Sequence, residues 1–68
     1  MVWYAFAAEW RDGRSDTIGV SNLADATAAQ RHARLIIREL KELRGYHEPG
    51  LRMIVKEDDG DVIAVIPF

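Results

Sequence analysis

Between Asn22 and Arg44 the chain runs for more than twenty residues without a proline or a glycine. Within that stretch Ala26, Ala29, Ala33, Ile36, Leu40 and Leu43 recur at 3-4-3-4-3 spacing. Such spacing lays them along one stripe of an α-helix, with Ile37 and Leu23 at its flanks. A helix with one apolar stripe has to bury that stripe, and this requirement constrains the fold more than any other feature of the chain. The spacing predicts a helix over residues 22–44. Asn22 suits the N-cap, and Asp25, three positions on, places a carboxylate near the free N–H groups of the first turn. Lys41 and Arg44 suit the negative end of the helix dipole. Gly45 can adopt the left-handed conformation that ends a helix, with Tyr46 folding back, and Pro49-Gly50 turns the chain onward. The stripe is too short for a coiled coil and is flanked by strand-like segments, so a sheet is its expected partner.

Two Asp-Gly pairs, Asp12-Gly13 and Asp59-Gly60, each separate two apolar runs. Asp-Gly supplies the positive φ angles of a type I′ turn, whose twist suits antiparallel strands. Residues 2–10 are therefore expected to pair with 15–20, and residues 51–57 with 61–68. The predicted class is α+β, in the order β-β-α-β-β, with an antiparallel sheet and the long amphipathic helix packed on one face. A chain of 68 residues has room for one domain. It has no cysteine and only two histidines, His32 and His47. Neither a disulfide nor a structural zinc site is then available to hold it together, and an apolar core must do so. The apolar fraction of 49% is enough for such a core and argues against disorder.

A two-residue turn at Asp59-Gly60 sets a register that pairs Val55 with Ala64, Met53 with Ile66 and Leu51 with Phe68 on the helix side. The opposite face then carries Ile54, Ile63 and Val65. In the first strand Trp3, Ala5 and Ala7 alternate with Val2, Tyr4, Phe6 and Ala8, so both of its faces are apolar. One helix covers only one face of a sheet. The surface predicted to bind a partner is therefore the open face, formed by Trp3, Ala5, Ala7, Ile54, Ile63 and Val65, and a second copy of the chain is its expected occupant.

A second candidate surface lies along the helix. Arg31, Arg34, Arg38 and Lys41 follow 3-4-3 spacing on one side, with Arg38 and Glu42 as their one i,i+4 pair of opposite charge. Such a stripe can grip phosphates, although a solvated helix edge has the same pattern. Leu35, about 180° from Ala26 at helical pitch, is a possible anchor beside it. A net charge of -2 gives no domain-wide nucleic-acid signal.

Signals for chemistry are weak. His32 has no serine or carboxylate placed beside it by local spacing and reads as a partly exposed helix residue. His47-Glu48 falls in a loop bounded by Gly45 and Pro49-Gly50. Glu57-Asp58-Asp59-Gly60-Asp61 is acidic but lacks the alternating ligands and distal glutamate of an EF-hand, and acidic residues suit a hairpin tip. No phosphate loop, H-E-x-x-H or G-x-S-x-G motif occurs. The expectation is a non-enzymatic chain with no catalytic residue, metal or cofactor. No signal peptide or membrane span is recognisable, which makes the cytoplasm the expected location.

Tyr4-Ala5-Phe6, Arg11-Asp12-Gly13, Ile18-Gly19-Val20-Ser21-Asn22-Leu23 and the closing Glu57-Asp58-Asp59-Gly60-Asp61-Val62-Ile63-Ala64-Val65-Ile66-Pro67-Phe68 together carry a resemblance. The chain resembles a family of short bacterial domains of unknown function, frequent in rhizobium-like alphaproteobacteria. Members have an aromatic first strand running into Arg-Asp-Gly, an alanine-rich helix, and an Asp-Gly hairpin ending in Val-Pro-Phe. Where that family has a longer acidic stretch before the helix, this chain has Arg14-Ser15-Asp16-Thr17. The resemblance implies a fold and no activity. The β-β-α-β order is also similar to the toxin-neutralising domain of HicB-type antitoxins, in topology alone. Size and lack of chemistry are shared with small inhibitors of phages and mobile elements, including anti-CRISPR proteins, an analogy that points to a regulator or inhibitor of a larger assembly.

Overall fold

The computed structural model describes residues 1–68. Its elements are β1 (Val2–Glu9), β2 (Ser15–Leu23), α1 (Ala26–Arg44), β3 (Arg52–Glu57) and β4 (Val62–Pro67). The four strands form one antiparallel sheet in the order β2-β1-β3-β4. Each hairpin is local, and the two join through their first strands, β1 and β3. The predicted β-β-α-β-β fold is the one observed.

The helix begins later than its apolar pattern suggests. Asn22 stays in the β1–β2 ladder opposite Trp3, so β2 runs on to Leu23. Asp25 becomes the N-cap in its place, in extended conformation, and its carboxylate accepts the Ala28 N–H at 2.9 Å. At the other end Gly45, at φ 70°, closes the helix as expected. The Tyr46 N–H donates to the Leu40 carbonyl at 3.2 Å.

Both Asp-Gly loops depart from the expected type I′ form. No residue other than glycine has positive φ, so Asp12 and Asp59 keep ordinary backbone angles. In the first loop the Gly13 N–H donates to the Trp10 carbonyl at 3.0 Å and the Trp10 N–H to the Arg14 carbonyl at 2.8 Å. Gly60, Glu57 and Asp61 repeat this arrangement in the second. Each loop is thus three residues long, a type I turn followed by a left-handed glycine. The preceding aspartate stabilises it: Asp12 accepts the Arg14 N–H, and Asp59 the Asp61 N–H, both at 3.0 Å. That backbone N–H, reinforced by the Arg14 guanidinium, holds the Asp12 carboxyl below its ordinary range.

A three-residue loop moves the strands out of the register expected from a two-residue one, and a bulge in each edge strand restores it. In β4, Val62 pairs with Lys56 and Ala64 with Val55, leaving Ile63 as the extra residue. In β2, Ile18 is extra between Thr17 and Gly19. Both isoleucines pack against the core. Ile63 therefore leaves the open face to which alternation assigned it, and Val62 takes its place.

The core lies between the sheet and α1: Tyr4, Phe6, Met53 and Val55 meet Ala29, Ala33, Ile37 and Leu40. Ala29 and Ala33, fully buried, let the helix axis approach the sheet closely. Burial pushes the Tyr4 hydroxyl pKa upward, with Glu57, Asp25 and Asp58 adding to the shift. Leu43, assigned to the core by its spacing, is 79% exposed. A strict heptad stripe rotates by about 20° per heptad on a straight helix. By Leu43 the stripe has turned roughly 75° from the centre of the buried face, at 100° per residue, and Ile37 occupies the buried side instead. Beyond Gly45, Tyr46 closes that end, tilted against Trp10 at 5.8 Å between ring centroids and stacked on Phe68 at 6.4 Å.

Candidate functional site

Three surfaces compete for function, and the sheet geometry separates them. The first is the face away from α1. Strand register places Asn22 and Trp3 in its first row, and Val20, Ala5, Lys56 and Val62 in its second. The third row holds Thr17, Ala7, Ile54 and Val65, and the fourth Ser15, Glu9, Arg52 and Pro67. The inner two rows are apolar apart from Lys56 and Thr17. Trp3 is 52% and Val20 63% exposed, and Val62 and Val65 are about half exposed. The small residues Ala5 and Ala7 lie on the central strand, and beside Ala7 a shallow depression of about 280 Å³ opens toward Ile54 and Val65. Arg52 donates to Glu9 across β1 and β3 at the far end. Five of the six predicted face residues, Trp3, Ala5, Ala7, Ile54 and Val65, lie together here; Ile63 does not. Val20 and Val62 complete the patch. Alternation within β1 and β3 finds such a face, whereas the bulged edge strands hide their part of it.

The second surface is the basic side of α1. Arg31, Arg34 and Arg38 are exposed and Lys41 is half-buried. None lies within 4.0 Å of a carboxylate, because the ion pairs of the chain join Arg14 to Asp12 and Glu48, and Arg52 to Glu9. Arg34, Arg38 and Lys41 flank a shallow concavity with Ile37 and Glu42. Leu35 does not line this concavity, although it lies exposed on the helix between Arg31 and Arg38.

Leu35 also borders a groove of about 750 Å³ between α1 and β2. The helix covers β1 and β3, and the inner side of β2 is left partly open. Phe6, Ile18, Ile36 and Leu40 form the apolar lining, with Leu35 and Leu43 on its helix flank and Asp16, Glu39 and Arg44 as its charged groups. Within it Ser21 Oγ lies 3.3 Å from His32 Nε2, and the His32 ring meets Phe6 edge-on at 5.2 Å. Sequence spacing could not place Ser21 beside His32, since eleven residues and a change of element separate them. A serine–histidine pair becomes a nucleophile and base when a third group orients the imidazole. His32 makes no second hydrogen bond, so this pair ties β2 to α1.

At the second hairpin tip, carboxylate oxygens of Glu57, Asp59 and Asp61 lie within 4.8 Å of one another. Asp59 is engaged in its own turn, which accounts for its position there. No helix is long and apolar enough to cross a membrane.

No curated protein and no solved structure matches the chain. One family model does, over residues 3–68. That span takes in all four strands but for Val2, both Asp-Gly loops and the helix, and the chain belongs to the family described as "Domain of unknown function (DUF6894)".

Proposed function

We propose that this chain is a protein-association module that acts without catalysis and pairs with a second copy of itself through the open sheet face. One observation carries this reading. Trp3, Ala5, Ala7, Val20, Ile54, Val62 and Val65 form a largely apolar surface on the side that no helix covers, with the exposed Lys56 set between Ala5 and Val62. Water contact on a patch of that kind is unfavourable, and contiguous apolar surface marks interaction sites. Burying it against its twin removes both copies from water in an isologous contact.

The size of the face sets the strength. Four strands about 4.8 Å apart and roughly 20 Å long offer about 400 Å² of flat area. A standard interface buries about 800 Å² per partner. The dimer is accordingly weak, and it forms at micromolar concentrations or above.

Sedimentation equilibrium from about 5 to 500 µM tests this. The expected result is a shift from 7.7 kDa toward twice that mass, abolished by Val65→Lys with Trp3→Arg. A monomer throughout the range would overturn the reading.

The stripe of Arg31, Arg34, Arg38 and Lys41, none of them in an ion pair, favours nucleic-acid binding as a second reading. Arg31 to Lys41 spans about 15 Å at 1.5 Å per residue, enough to follow a phosphate backbone. Fluorescence polarisation with labelled DNA and RNA at 50 mM salt decides it. Binding that falls steeply with salt and is lost in Arg34→Glu with Arg38→Glu supports this reading, and no binding at low salt removes it.

A further inference from the structure

We propose that the paired molecule has its two-fold axis parallel to the strands, between β1 and β3, so that Glu9 and Arg52 of one copy face Arg52 and Glu9 of the other. This rests on self-association through the open face and adds which residues of that face meet.

Symmetry narrows the choice. Sheets that pack face to face keep their strand directions within about 30° of one another. An isologous pair of such sheets therefore has its axis either along the strands or across them. With the axis along the strands, each row of one face meets the same row of the other, and the strand order is reversed: β1 lies over β3, and β2 over β4. With the axis across the strands, each strand lies over its own counterpart and the rows are reversed.

Two features of the face separate these placements. The first is side-chain size. Ala5 pairs with Lys56 and Ala7 with Ile54, so in the middle of the face β1 carries small side chains and β3 long ones. An axis along the strands sets each alanine against a long side chain of the other copy, and Ile54 enters the depression beside Ala7. Lys56 then crosses Ala5 of the other copy toward Trp3 in the adjacent row, whose ring face attracts an ammonium. An axis across the strands stacks Ala5 on Ala7 and Lys56 on Ile54. At a sheet separation of about 10 Å, that leaves a void over β1 and crowds β3.

The second feature is charge. Arg52 donates to Glu9 across β1 and β3, and both side chains stay partly exposed. An axis along the strands lays two such pairs over each other in opposite order, so that the charges alternate in sign and each gains a second partner. An axis across the strands carries Glu9 to Trp3 of the other copy and leaves the two ion pairs at opposite ends of the interface. Charges at an interface rim fix register and suppress wrong arrangements more than they add affinity.

The test is charge complementation in the full chain. Glu9→Arg or Arg52→Glu alone brings like charges together, and sedimentation equilibrium should show self-association weakened about tenfold or more. Titrating ¹⁵N-labelled Glu9→Arg with unlabelled Arg52→Glu should restore binding to at least the strength of the parent, since two cations on one copy then face two anions on the other. The gain should shrink in about 0.5 M salt. Exposed charges contribute little to folding, and the same spectra check that each variant is folded. Ala7→Ile and Ile54→Ala test the size argument without charge: each should weaken pairing, and their mixture should recover it. Single charge variants that pair as the parent does, a mixture that binds no more tightly than they do, or an Ala7→Ile chain that pairs more tightly than the parent would overturn the proposal while open-face pairing stood. A parent chain that stays monomeric at the highest concentration sedimented would overturn both.

Discussion

Leu40 and Leu43 are chemically identical, lie three residues apart on one helix, and belong to the same sequence stripe. Their environments differ sharply: Leu40 is 6% exposed and Leu43 79%. Replacing each with alanine therefore separates pattern from packing. Leu40→Ala removes a side chain buried against the sheet, losing its transfer free energy and leaving a cavity, for about 2–4 kcal/mol. A chain of 68 residues has a total stability of roughly 3–10 kcal/mol, so this loss is a large fraction of the whole. At about 4–8 °C per kcal/mol for a domain of this size, the melting temperature should fall by roughly 8–32 °C. Leu43→Ala returns only a fifth of the side chain's surface to water. Its cost should stay below about 0.5 kcal/mol, partly offset by the higher helix propensity of alanine. Urea unfolding followed by circular dichroism measures both, at two protein concentrations so that self-association is separated from folding. Equal losses at the two positions, or a larger one at Leu43, would refute the packing described for α1.

Asp25→Ala should cost about 1 kcal/mol in the same urea assay, because it strips the cap from the Ala28 N–H, whereas Asn22→Ala should not affect the helix start. Val62→Lys should leave stability near that of the parent while weakening self-association, and Ile63→Lys should destabilise by about 2 kcal/mol or more by forcing a charge toward the core; similar effects at the two sites would contradict the β4 bulge. The Asp12 carboxyl titrates lower in the folded chain than in the unfolded one, so its contribution is present above the unfolded pKa and is lost as pH falls through the folded one. Melting curves between pH 7 and pH 2.5 should accordingly show a shallower acid decline for Asp12→Asn than for the parent. Tyr4 carries the opposite sign: its raised pKa favours the folded state until pH climbs past about 10, above which stability should fall, and Tyr4→Phe should flatten that alkaline decline.

The existence and order of the elements were legible in the sequence because they follow from local chemistry. Periodicity marked α1, Asp-Gly marked both loops, and Gly45 marked the helix end. What the pattern could not supply was set by competition between levels. Asn22 is a good cap, but pairing with Trp3 holds it in β2, so Asp25 caps instead. Asp-Gly fits two turn types, and the choice depends on whether aspartate takes positive φ, which here it does not. That choice shifts each hairpin by one residue, and the bulges at Ile18 and Ile63 absorb the shift. The open face was therefore readable on the regular strands β1 and β3 and misread on β4. The groove was the least legible surface. It depends on where the helix axis lies over the sheet, which brings Ser21 to His32 and turns Leu35 and Leu43 toward β2.

The two tryptophans occupy opposite extremes of this architecture. Trp3 stands half in solvent on the open face. Trp10 lies beside Tyr46, with the Arg14 guanidinium 5.0 Å from its ring and its indole N–H shut away from water. The molecule thus contains two indole fluorophores with separate duties. A Trp10→Phe chain should emit at long wavelength and shift blue as protein concentration rises, reporting on contact at the sheet. A Trp3→Phe chain should be indifferent to concentration and shift red in denaturant, reporting on the closure of the aromatic end. Association and folding can then be followed by colour in one cuvette, without an attached dye.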